Sequence, residues 1–143
     1  MRRWLPAAAG LGLLGACNLF GGNIDPPAGF HGWFHVDRPG RATSIAFENS
    51  SLAAVRDLGC DGVVNGETPW TVDGEALVLA QWSTPAPRFV QDPSTSGALF
   101  ASPGMYGTAP EQWLAGAACL VCPPGDAGVA IACDDPAVRD GGT

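Results

Sequence analysis

The chain has no lysine; all seven of its basic residues are arginines, set against fourteen acidic ones. Such a balance repels phosphate backbones and argues against nucleic-acid partners. It also supplies no basic patch for anionic lipids. Catalytic signatures are absent. There is no Gly-x-Ser-x-Gly elbow, no His-Glu-x-x-His pair and no Asp-x-Asp-x-Asp-Gly calcium loop, and only two histidines could serve as a base. No catalytic residue, metal ligand or cofactor is therefore assigned. Long apolar runs are missing too. Trp4 to Ala16 is thirteen residues, and a spanning helix needs roughly 20. The charge-free stretch from Trp4 to Ile24 is longer, but it holds Pro6, Asn18, Asn23 and five glycines, which suit a spanning helix poorly.

What is present at the start is a secretory pattern. Arg2 and Arg3 precede an apolar segment with Leu5, Leu11, Leu13 and Leu14, and small residues follow. A signal peptide needs a basic start, about 7 to 15 apolar residues and small residues at the cut. The run Leu14-Gly15-Ala16-Cys17 resembles the lipobox of bacterial lipoproteins. That resemblance implies export, cleavage before Cys17 and lipid on the new N-terminal cysteine. Two or more acyl chains there would anchor firmly, at about 0.8 kcal/mol per buried CH₂. Asn18, in place of the Asp that favours inner-membrane retention in such proteins, points to the outer membrane. The mature chain would keep five arginines against fourteen acidic residues, a net charge of −9.

Assigning Cys17 to lipid leaves Cys60, Cys119, Cys122 and Cys133. An even remainder outside the cytoplasm reads as two disulfides. Cys119-Leu120-Val121-Cys122 has the spacing of a redox or zinc pair. However, no βαβ context and no second Cys-x-x-Cys accompany it. If Ala117–Val121 and Val129–Cys133 form a hairpin, placing Cys119 opposite Cys133 also places Val121 opposite Ile131. Cys122 then lies beyond the alternation, free to reach Cys60. The expected bonds are Cys119–Cys133 and Cys60–Cys122, with Cys122–Cys133 and Cys60–Cys119 as the rival pairing.

The organisation expected is a signal peptide (1–16), a lipidated tether (17–29), a disulfide-bonded β domain (30–135) and a flexible tail (136–143). Gly21-Gly22 and Pro26-Pro27 mark the tether. Dense turn signals, among them Asp61-Gly62, Asn65-Gly66, Asp73-Gly74, Ser96-Gly97 and Pro103-Gly104, divide the body into short runs. Strands are expected at Trp33–Asp37, Thr43–Glu48, Gly62–Asn65, Ala76–Trp82, Arg88–Gln91, Ala98–Ser102, Ala117–Val121 and Val129–Cys133. Leu52, Val55 and Leu58 recur at three-residue spacing, which predicts one short helix over Ser51–Leu58, and Glu111–Ala115 reads as a single helical turn. The fold class expected is mostly β: a small antiparallel meander closed as a barrel or folded as a sandwich.

Gly32-Trp33, Ile45-Ala46-Phe47-Glu48, Gly59-Cys60-Asp61-Gly62 and the run from Trp70 to Leu79 resemble, in outline, small lipocalin-like and META-type β domains of bacterial lipoproteins. Lipocalins separate Gly and Trp by one residue, whereas here they are adjacent. META-type domains often carry Asn after the central Cys, where Asp61 stands here. Inside a barrel, Trp33, Trp70, Trp82 and Trp113 either line an apolar pocket or fill the interior. His31 and His35 bracket Gly32-Trp33-Phe34 and read as surface or packing residues. Asp61, Asp134 and Asp135 read as turn residues. The expected function is a non-enzymatic binding module, held on the membrane by lipid on Cys17. It would bind an envelope protein or a small apolar ligand. A structural or protective lipoprotein is the alternative, and a metal-dependent enzyme ranks third.

Overall fold

The computed structural model describes residues 24–125 and 127–136. Eleven strands account for its regular structure: β1 (Trp33–Arg38), β2 (Arg41–Phe47), β3 (Leu52–Gly59), β4 (Gly62–Pro69), β5 (Thr71–Asp73), β6 (Ala76–Val78), β7 (Arg88–Gln91), β8 (Leu99–Ala101), β9 (Glu111–Ala115), β10 (Ala117–Val121) and β11 (Val129–Cys133). The first nine form one antiparallel sheet in the order β4-β3-β2-β1-β9-β8-β7-β6-β5, and β10 and β11 pair as a separate hairpin.

The alternation of side chains explains how the sheet curls. On β1, Phe34 and Val36 point inward; on β2, Thr43, Ile45 and Phe47 do; on β3, Ala53, Val55 and Asp57 do. Pro39-Gly40 makes the β1–β2 turn, with Gly40 at φ 69°, the conformation a Pro-Gly turn asks of its second residue. Residues 62–73 act almost as one strand bent at Trp70. The first half pairs with β3 and the second with β6, so the two ends of the sheet meet at this corner. The result is a nearly closed barrel. Thr68 and Trp70 turn into it, and Trp70 donates its indole N–H to the Glu48 carbonyl at 3.1 Å. Val64 and Val72 share their parity but are 60% and 53% exposed, so both ends of the bent strand flare away from the core.

Aromatic rings fill the interior. Phe30, Phe47, Phe89 and Trp113 form an edge-to-face chain with centroid spacings of 6.0, 5.3 and 5.7 Å. Such pairs contribute about 0.5–1.5 kcal/mol each beyond their area burial. Ile45, Leu77, Leu79 and Leu99 complete the core with no exposure.

No helix occurs among the described residues, and both helical expectations are corrected. Ser51–Leu58 is largely β3, and Glu111–Ala115 is β9. The three-residue spacing misled because β3 is apolar on both faces. Val55 faces the barrel, whereas Leu58 faces outward beneath β10–β11 and packs with Ala42 and Ala118. A strand buried on both sides loses the two-residue alternation that identifies it. The strand expected over Ala76–Trp82 stops at Val78. Leu79 and Trp82 close a turn (Trp82 N–H to Leu79 carbonyl, 3.1 Å), and the Trp82 indole reaches the Met105 carbonyl. β4 runs to Pro69 instead of ending at Asn65.

Candidate functional site

Cys17, the expected lipid attachment point, and residues 1–16 lie outside the described residues. Of the expected tether, residues 24–29 are described, and they lie against the barrel. Ile24 bridges to Ser50, Pro26 is buried, and the Gln91 amide donates to the Ala28 carbonyl at 2.7 Å. The expected tail is described only at Pro136.

The disulfides are Cys60–Cys122 and Cys119–Cys133, a pattern that fits an oxidising, extracytoplasmic environment. The expected hairpin register is corrected: Cys119 stands opposite Ile131, and Cys133 opposite Ala117. The Cys119–Cys133 bond is therefore diagonal. The slip is two residues, so the two cysteines still share a face, and their Cα atoms lie 5.8 Å apart, within the range a disulfide spans. Cys60–Cys122 pins the far end of β10 to the β3–β4 turn. Ser44 holds the near end, its hydroxyl accepting from the Ala118 N–H at 2.9 Å.

The tryptophans divide. Trp70 and Trp113 are buried in the core, Trp82 packs partly buried against it, and Trp33 lies on the outer face, where Arg56 sits 5.9 Å from its ring. Trp70 and Trp113 thus fill the barrel instead of lining a pocket. His31 is exposed. His35 sits on the outer face of β1, its Nδ1 2.9 Å from the Gly116 carbonyl. Among the described residues, no group of three or more His, Cys, Asp or Glu is placed to hold a metal ion. Asp61 lies 4.0 Å from Arg41 on the β3–β4 turn, with its side chain exposed.

One end of the barrel carries an ionic cap that sequence reasoning missed. Asp57 faces inward on β3 and holds both arginines of the β1–β2 turn: Arg41 Nε donates to Oδ1 at 2.9 Å, and Arg38 Nη1 lies 3.0 Å from Oδ2. The Thr43 hydroxyl donates to Oδ1 at 2.8 Å. Burial pushes the Asp57 carboxyl up, but the hydrogen bonds from Arg41, Thr43 and Arg38 prevail and hold it below its ordinary value. Arg38 also stacks 3.8 Å over the Tyr106 ring. Burial first, then the Asp57 charge, pushes the Tyr106 hydroxyl up to about 12. Glu111 ties the neighbouring loop to β9. Its carboxylate accepts from the Met105 and Tyr106 N–H groups, both at 2.9 Å, and from the Trp113 indole at 3.1 Å. The sequence signal for the cap was a charged residue at an inward parity position, and it was hidden while Ser51–Leu58 read as a helix.

Two further features lie on the outside. The outward face of β10–β11 exposes Val121, Val129 and Ile131 around the Cys119–Cys133 bond. Beneath the hairpin, a cleft of about 600 Å³ opens between β1–β9 and the hairpin's underside, with His35, Asp37, Gln112 and Leu114 on one wall and Ala118 and Ala130 on the other. Compared with protein-family models, with curated proteins and with solved structures, the chain matches none.

Proposed function

We propose that this chain is an exported lipoprotein, anchored through acylated Cys17 to the outer membrane, whose β domain binds another envelope protein without catalysis. The observation that carries the reading is a contrast of two surfaces. Trp113, Trp70 and the phenylalanines occupy the barrel interior, whereas Val121, Val129 and Ile131 stand 48%, 56% and 48% exposed on the hairpin. Apolar side chains gathered on one outer face favour a protein partner, and a filled interior leaves little space for a small apolar ligand. Two disulfides and the run Leu14-Gly15-Ala16-Cys17 support export and anchoring. A photo-crosslinking side chain in living cells tests the binding. At Val129 it should give one discrete adduct in the membrane fraction, and at Glu48, near the opposite end of β2, none. Equal labelling at both positions, or no adduct at Val129, would contradict the reading.

A further inference from the structure

We infer that the cleft beneath β10–β11 receives a cationic, donor-rich side chain, a guanidinium or ammonium group, from the envelope partner. This inference rests on the reading of the protein as a binding module. Among the described residues, the cleft offers hydrogen-bond acceptors and, with His35 neutral, no free side-chain donor. A carbonyl oxygen only accepts, so the contact with Gly116 places a His35 hydrogen on Nδ1, and in the neutral ring Nε2 is then an acceptor. Gln112 is oriented in the same way. Its Nε2 donates to the Asp92 carboxylate at 2.9 Å and lies 3.0 Å from the Thr95 hydroxyl. The Asp92 carboxylate can only accept, so the amide nitrogen must face it, and Gln112 Oε1 is left as an acceptor. The Ser94 hydroxyl and N–H, then Gln112, hold the Asp92 carboxyl below its ordinary value, so it stays an acceptor for the amide nitrogen.

Asp37 is exposed and, among the described residues, has no hydrogen-bond or ion-pair partner. It contributes a full negative charge beside these neutral acceptors. The opposite wall is alanine, at Ala118 and Ala130, so there is room for a long side chain to lie along it, and Leu114 offers apolar surface for that side chain's methylene stem. Among the described residues no arginine lines the cleft, and the chain has no lysine. A planar guanidinium matches a carboxylate flanked by neutral acceptors better than any anionic or neutral group does.

The test uses the full chain in detergent micelles, followed by amide chemical shifts during titration with a short blocked peptide bearing one central arginine. The same peptide with citrulline, the neutral isostere, is the control. Saturable shifts confined to β1, β9, β10 and β11 are expected with arginine and not with citrulline. Asp37→Asn should weaken binding about tenfold, or roughly 1.4 kcal/mol. Ala130→Phe should abolish it by filling the cleft, and Glu48→Gln should leave it unchanged. Equal responses to both peptides, no saturable shift, or full affinity in Asp37→Asn would overturn the assignment. The crosslink at Val129 reports the binding-module reading separately, so the cleft's chemistry can fail while that reading stands.

Discussion

Arg41 Nε donates to Asp57 Oδ1 at 2.9 Å, joining the start of β2 to the inward face of β3 at one end of the barrel. Arg38 approaches the other carboxylate oxygen, so a single negative charge neutralises part of two positive ones. Asp57→Ala would leave Arg38 without its ion-pair partner and Arg41 with only the exposed Asp61 at 4.0 Å, both in a half-buried position. The expected cost is about 3 kcal/mol, at the lower end for a broken buried pair because the arginines keep some contact with water. Chemical denaturation of the two proteins measures it.

The same carboxylate gives the protein an acid limb. A carboxyl whose value falls on folding contributes stability above its unfolded value, about 3.9. That contribution is lost as the pH drops through the lower folded value. Unfolding free energy should therefore fall below about pH 4 in the native protein. Asp57→Asn should be less stable at neutral pH and show a shallower acid loss. Parallel acid limbs in the two proteins would show that Asp57 titrates alike folded and unfolded.

Tyr106 sets the alkaline limb. It is the only tyrosine in the chain, so tyrosinate absorbance reports this one hydroxyl. A value raised to about 12 on folding favours the neutral phenol. Stability from this group is present below the unfolded value of about 10 and is lost as the pH rises towards 12. Tyrosinate should form near 12 in the folded protein and near 10 in denaturant. Coincident titrations would contradict the buried stacking beneath Arg38.

The hairpin depends on covalent attachment more than the barrel does. Replacing Cys60 and Cys122 by serine should cost about 2–4 kcal/mol. It should speed hydrogen exchange of the β10 and β11 amides while the β1–β2–β3 amides remain protected. Uniform loss of protection would mean that the hairpin and barrel unfold as one unit.

Trp113 is a core ring with no exposure, and its indole is held by Glu111. Trp113→Ala should cost about 3–5 kcal/mol. Trp33→Ala, on the outer face, should cost well under half of that. Similar losses would contradict a barrel filled by Trp113.

The class of the fold was legible from turn signals and short β-prone runs, because each Gly-containing turn interrupts a segment too short for a stable helix. The hairpin and its cysteine faces were legible through parity, which survives a two-residue register slip. β3 was not. It is covered by the core on one side and by β10–β11 on the other, so its apolar residues lost their alternation. That error also concealed Asp57, whose partners Arg38 and Arg41 are separated from it by a full strand pairing. The cleft was illegible for a related reason. His35, Asp37 and Gln112 converge only because β9 pairs with β1, a long-range relation that local pattern does not carry.

Mass spectrometry of the intact protein recovered from the membrane fraction tests the central claim most directly. The account predicts a chain beginning at Cys17, carrying two or three acyl chains and retaining both disulfides. An intact Met1, or a free thiol on Cys17, would contradict it.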